Sequence, residues 1–228
     1  MWRLFVICLI ATAAVGQEQP VDSQQDTAHI MGVIPSHGVT NDKNAAPLPA
    51  SGKFRIFTAN VTDPFSVLGV GLQAGIGQAR NDHPDYGQGS SGYAKRLGAA
   101  YSDFAISNFM SDYVFPSLLR EDPRYFREGS GSFKKRLGHA LASPFVTRTD
   151  AGKWTFNYSN TLGAVTAGAI SNLYYPSSDR DVGLVFSRAG IGILFGAAGA
   201  IISEFGPDIG RKLSRKPKQK VPKNRDAP

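Results

Sequence analysis

PFSVLGVGLQAGIGQA, residues 64–79, decides between two folds. Its glycine density is that of a dinucleotide-binding loop, which would make the chain α/β. No clear strand precedes it, however, and its small residues Gly71, Gly75 and Ala79 recur every four positions. That spacing puts them on one helix face, as a ridge without side chains that a second helix backbone can approach closely. Asp63 supplies a cap and Pro64 the first helical position, where no N–H is needed. The segment therefore predicts a helix, and the loop reading falls away.

The same spacing recurs outward from it. Ala164 and Gly168 repeat it in a helix expected from Asn157 or Ser159 to about Tyr175, ended by Pro176; Gly192, Gly196 and Ala200 repeat it over residues 181–205, with a cap at Asp179. A helix is also expected over residues 91–114, interrupted by Pro116. An amphipathic one is expected over 132–146, where Lys134, Lys135 and Arg136 oppose the macrodipole at its start. Those cations form a solvated face, or they meet an anion or a neighbour's acids. KFRIFT, residues 53–58, is a short amphipathic piece, HPDYG a turn, and RTDAGKW a polar turn. The sum is an all-α bundle of about five helices packed through Gly/Ala ridges. Residues 189–203 carry no charge but make only about 22 Å of helix, against about 30 Å of bilayer hydrocarbon. This helix is expected to be the central buried member of the bundle rather than a membrane span.

The ends differ from the body. Residues 1–16 begin with Arg3, continue through LFVICLIATAAV and close on small residues, which predicts a secretory signal cleaved after Gly16. Cys8, the single cysteine, lies in that run, so the mature chain is expected to have no disulfide-linked partner and no thiolate chemistry. Residues 17–51 read as an extended N-terminal arm, touching the body through Ile30, Met31, Val33 and Ile34, and residues 52–210 read as one helical domain. Residues 211–225 hold eight Lys and Arg and no acid, whereas residues 17–210 hold sixteen basic and seventeen acidic residues. The net charge of +7 thus belongs to a Pro-rich tail, residues 211–228, expected to be disordered. A neutral body argues against nucleic acid, while the tail suits an anionic membrane surface or an acidic wall polymer.

FPSLLREDPRYFR, residues 115–127, has the densest chemistry in the chain. Arg120, Arg124 and Arg127, with Tyr125 as an orienting hydroxyl, form a candidate clamp for phosphate or carboxylate, supported by Glu121 and Asp122. The competing reading is a salt-bridged helix exit in which Asp122 is a cap. His139 is a candidate base if Asp103 or Asp150 reaches it, and His83 with Asp82 and Asp85 is a second, although a hydrogen-bonded core histidine accounts for His139 as well. His29 and His37 lack the carboxylates a metal site needs. No G-x-S-x-G, H-E-x-x-H or Walker-type loop occurs, and no cofactor or metal is expected.

Two segments echo one another: LGAAYSDFAISN at 97–108 and LGAVTAGAISN at 162–172, each followed by an aromatic-Pro-Ser break. Two related helix-plus-turn units would explain this, as would chance similarity of Ala/Gly-rich helices. The pieces DPF, GQGSSGYAKRLGAAYSD, FPSLLREDPRYFR, VTRTDAGKWTFNYSN and ISNLYYPSSDR together resemble a family of small exported proteins of soil bacteria, over residues 54–209. That resemblance implies export and carries no activity or catalytic residue with it. The expected function is a non-catalytic cell-envelope protein that associates with membrane or acidic wall polymer. The alternatives are an enzyme acting on a lipid or phosphate ester, and a soluble module recognising its partner through Tyr86, Tyr125, Tyr174 and Tyr175.

Overall fold

Asp63 ends one helix and opens the next. In the computed structural model, α1 (Ala50–Thr62) stops where Asp63 turns extended. The Asp63 carboxylate then accepts the N–H groups of Phe65 and Ser66 at 2.9 and 3.1 Å, starting α2 (Pro64–Ala79) as the sequence predicts. The structure describes residues 29–30, 34–35 and 37–213, with side chains for 37–212. The expected signal, Met31, Val33 and the tail beyond Leu213 lie outside the described residues.

A 3₁₀ turn (Pro84–Tyr86) leads to α3 (Gly89–Asn108), which passes through a π-helical turn (Phe109–Val114) into α4 (Phe115–Leu119). The break expected at Pro116 does not occur there. The wide turn just before the proline relieves the clash and the missing donor that would otherwise stop a helix. The chain leaves the helix only at Arg120, in the left-handed region at φ 55°. Two-residue strands follow, β4 (Glu121–Asp122) and β5 (Tyr125–Phe126), then α5 (Phe133–Ala142), which ends four residues earlier than expected. The predicted polar turn is the tip of a hairpin, β6 (Val146–Thr149) and β7 (Trp154–Phe156). Strands this short show no usable alternation, which is why the pattern of the sequence misses them.

Asn157 caps α6 (Tyr158–Ser171) by accepting the Asn160 N–H at 2.9 Å. That helix ends before the expected Tyr175, and a turn covers residues 172–175. Asp181, rather than Asp179, accepts the N–H of Leu184 at the start of α7 (Val182–Leu213), which runs on through Pro207. Within the expected arm, β1 (His29–Ile30) pairs antiparallel with β2 (Ile34–Pro35), and β3 (Val39–Thr40) runs parallel to β5 in the register Val39 to Tyr125. β4, β6 and β7 form an antiparallel sheet beside the bundle.

The molecule is an all-α bundle with small sheet additions, and its helices follow one another in space. α2 packs on α3, α3 on α6, and α6 on α7, with the π turn set against α1 and α6. The small residues act at fewer places than the ridges suggest. A methyl at Gly168 would lie 2.5 Å from the Val185 carbonyl oxygen, so here α6 and α7 meet backbone to backbone, and Gly163 faces Ser111 more closely still. On α2 the ridge receives a side chain instead: the Tyr93 hydroxyl donates to the Gly71 carbonyl at 3.2 Å. Gly196 faces open space.

α7 is not the central buried helix expected. It lies at the edge of the bundle, with Phe186, Leu194 and Phe195 each more than 60 % exposed. Besides a few large apolar side chains such as Ile56, Val70, Phe126 and Leu184, the buried positions belong to small residues and to charged ones, among them Lys53, Glu121, Asp122, Arg127 and Glu204. Lys53, inside α1, holds the Asp150 carboxylate at 2.9 Å and the Pro116 carbonyl at 3.0 Å.

Candidate functional site

Two of the three arginines of residues 115–127 are held by the protein's own anions. Arg120 is exposed, and its carbonyl accepts the Asp150 N–H at 2.7 Å. Arg124 grips Asp122, its Nη2 at 2.6 Å, and also donates to the Ala46 carbonyl. Arg127 donates from Nε to the Glu204 carbonyl at 2.9 Å and from Nη2 to Asp208 at 3.2 Å. The three therefore share no acceptor. Glu121 accepts the N–H of Ser159 at 2.9 Å, which ties β4 to the first turn of α6.

Glu204 is the anion this region is built around. Its fully buried carboxylate accepts the Tyr125 hydroxyl, the N–H groups of Glu128 and Gly129, all at 2.9 Å, and Arg136 Nε at 2.6 Å. Burial alone would raise this carboxyl, but Arg136, Gly129 and Tyr125 outweigh it and hold it below the ordinary glutamate value. The same competition brings Asp208 down to about 2, with Arg136 and Arg211 donating against the cost of burial. Two of the three cations at the start of α5 thus meet the protein's own acids: Arg136 takes Glu204 and Asp208, and Lys135 takes Glu128 at 2.6 Å. Their clash with the helix dipole is offset across the fold.

His139 lies beside this network, with Nε2 2.8 Å from the Phe126 carbonyl and its ring 5.5 Å from that of Tyr125. A carbonyl only accepts, so Nε2 carries a proton. The acids named as its partners are engaged elsewhere, Asp150 with Lys53 and Asp103 with a second cluster.

That second cluster is one the sequence reading did not assemble. Asp103, on α3, accepts Ser171 Oγ at 2.7 Å, the Tyr174 hydroxyl at 2.5 Å and the Tyr175 hydroxyl at 2.6 Å, and faces Arg188 at 3.7 Å. Arg188 lies over the Tyr175 ring at 4.5 Å and reaches His83 Nε2 at 2.6 Å. Because arginine only donates, Nε2 of His83 is the acceptor, and Nδ1 carries the proton given to Asp179 at 2.7 Å. His83 is thus held by a carboxylate on one side and a guanidinium on the other. Burial, and then Asp103, push the Tyr174 and Tyr175 hydroxyls well above the ordinary tyrosine range. Tyr86, Tyr174 and Tyr175 do gather, but around the half-buried carboxylate of Asp103; Tyr125 stands apart at Glu204. Both echoing segments contribute, Asp103 from the first and Ser171 from the second.

A cleft of about 760 Å³ joins these regions. α2 and α7 flank it, and α3, the π turn and α6 line its floor. Phe65, Val70, Ile191 and Phe195 make its sides apolar, whereas Asp103, Asn108, Ser111 and Asp112 make its floor polar. Asp112 keeps accessible surface because it lines the cleft, yet it lies deep in the bundle. Burial pushes its carboxyl up to about 6, opposed only by a hydrogen bond from Asn60 Nδ2 at 3.0 Å. Among the described residues no three His, Cys, Asp or Glu side chains gather into a metal-binding group. No protein-family model, no curated protein and no solved structure matches this chain.

Proposed function

We propose that this is an exported cell-envelope protein that associates with a lipid membrane through the outward faces of α2 and α7. The observation that carries the reading is the distribution of polarity. On α2, Leu68, Leu72 and Ile76 recur every four residues and are 58 %, 62 % and 59 % exposed. On α7, Phe186 and Leu194 are 65 % and 70 % exposed. Water-soluble bundles point such stripes inward, and contiguous apolar surface left outside marks a place that another apolar phase covers.

By length and composition α7 is long and apolar enough to cross a membrane: within Val182–Lys212 an 18-residue stretch has a mean hydropathy of 1.8, and 11 % of that stretch is buried. The two charges that bound its uncharged middle, Arg188 and Glu204, are paired inside the protein with Asp103 and Arg136, which lowers the cost of placing them near lipid. Apolar stripes favour lipid over an acidic wall polymer, which offers no hydrocarbon. Each large side chain transferred from water gains about 1.5–3 kcal/mol, and the basic tail adds an attraction that salt screens.

The test is flotation of a chain beginning at Gln17 with phosphatidylcholine–phosphatidylglycerol vesicles. Flotation at low and at high salt is expected, with truncation after Gly210 removing only the salt-sensitive part. Glutamate at Leu72 and Leu194 together should leave the protein in the dense fraction. A wild-type protein that stays there at every salt concentration contradicts the reading.

A further inference from the structure

We propose that the cleft between α2 and α7 binds an amphiphilic amine, its ammonium group against Asp112 and its apolar body between the two helices. The head-group site comes from the π turn. The extra residue per turn at Phe109–Val114 widens the backbone, and it brings Ser111 and Asp112 to the cleft floor. Ser111 Oγ is buried there with no hydrogen-bond partner in the protein.

Charge selects the class of ligand. Asp112 keeps a single neutral partner, Asn60. Among the charged groups on the elements around it, Lys53 is held by Asp150 and the Pro116 carbonyl, Asp103 by Arg188, and His37 faces Asp63, while Arg55 is exposed. α6, packed on the π turn, carries no charged side chain. A buried carboxylate without a cation is costly, and a ligand ammonium removes that cost. A carboxylate or phosphate head would instead meet the like charge of Asp112.

Shape selects the rest. Phe65, Val70, Ile191 and Phe195 give the body an apolar bed, and Gly192 and Gly196 leave the α7 side free of bulk. The cleft volume, about 760 Å³, falls within the usual range of about 300–1,000 Å³ for small-molecule sites. Asp112 titrates near 6, so binding of the amine should weaken roughly tenfold between pH 7.5 and pH 5 as the carboxyl takes its proton.

The experiment is calorimetric titration of the full chain with octylamine, octanol and octanoate below their micelle concentrations. Octylamine should bind at pH 7.5 and octanoate should not. Asp112→Asn, which mimics the protonated carboxyl, should cut octylamine affinity about tenfold and remove its pH dependence. Gly196→Leu, which fills open space in the cleft, should abolish binding of octylamine and octanol alike. Asp112→Asn should still float with vesicles, so this proposal and membrane association fail separately. Absence of octylamine binding, equal binding of octylamine and octanoate, or unchanged affinity in Asp112→Asn would overturn it.

Discussion

Replacing Glu204 with glutamine is the sharpest test of what holds the C-terminal half of the bundle. Four donors from three elements converge on this carboxylate: the Tyr125 hydroxyl, the Glu128 and Gly129 amides, and Arg136. Glutamine keeps one acceptor oxygen and turns the other into a donor, so at least one buried donor faces another. An unsatisfied buried group costs about 1–3 kcal/mol, and breaking a buried ion pair about 3–5 kcal/mol. Arg136 keeps Asp208 at 2.6 Å, which places the net loss near the lower end, about 3 kcal/mol. For a chain of this size that lowers Tm by about 6–12 °C at pH 7, read by circular dichroism or calorimetry. The pH dependence has a definite sign. The folded-state pKa of Glu204 is lowered, so its stabilisation is complete above the unfolded value of about 4.3 and is lost as pH falls through the folded value. Wild type and variant should therefore converge only on strong acidification. A Tm change under about 2 °C at pH 7, or a gap that widens as pH falls, would refute the network as described.

Two alanine substitutions separate true close approaches from mere glycine spacing. Gly168→Ala should cost about 2 kcal/mol or more, since its methyl meets the Val185 carbonyl at 2.5 Å, whereas Gly196→Ala should be neutral or gain up to about 1 kcal/mol of helix propensity; denaturant melts compare them. Asp103→Asn should lower stability by about 2–4 kcal/mol, because two tyrosine hydroxyls, a serine and Arg188 lose their shared anion, and ultraviolet tyrosine titration should then show ionisation at lower pH than in wild type.

The helices were legible where local chemistry fixes them. Asp63-Pro64 is read correctly, and Asn157 is one of the two caps offered for its helix, because a cap acts within three residues of itself. The passage of the helix through Pro116 was not legible, since a π turn has no sequence signature, and the four- and three-residue strands of the hairpin carry too little alternation. Small-residue spacing overstated the packing: Gly168 meets a backbone, whereas Gly71 meets a tyrosine and Gly196 nothing. The arginine-rich stretch announced carboxylate partners, and Arg124 finds one locally in Asp122, but Arg127 meets Asp208, 81 residues away, a separation local reading cannot bridge. The Asp103 cluster had one usable signal, the echo between 97–108 and 162–172, whose unequal residues are the aspartate of one copy and the Tyr174-Tyr175 pair after the other. The edge position of α7 was hidden by composition, because a buried helix and a lipid-facing one are equally apolar.

Site-directed fluorescence tests most directly that α2 and α7 turn their outward faces to lipid. A chain beginning at Gln17 has no cysteine, so Leu72→Cys, Leu194→Cys and Lys153→Cys can each carry one environment-sensitive label. With vesicles, labels at positions 72 and 194 should shift to the blue and be quenched by lipid-borne nitroxide, while the label at 153, on the hairpin tip, should keep its emission in water. Unchanged emission at 72 and 194 in the presence of vesicles would contradict the account.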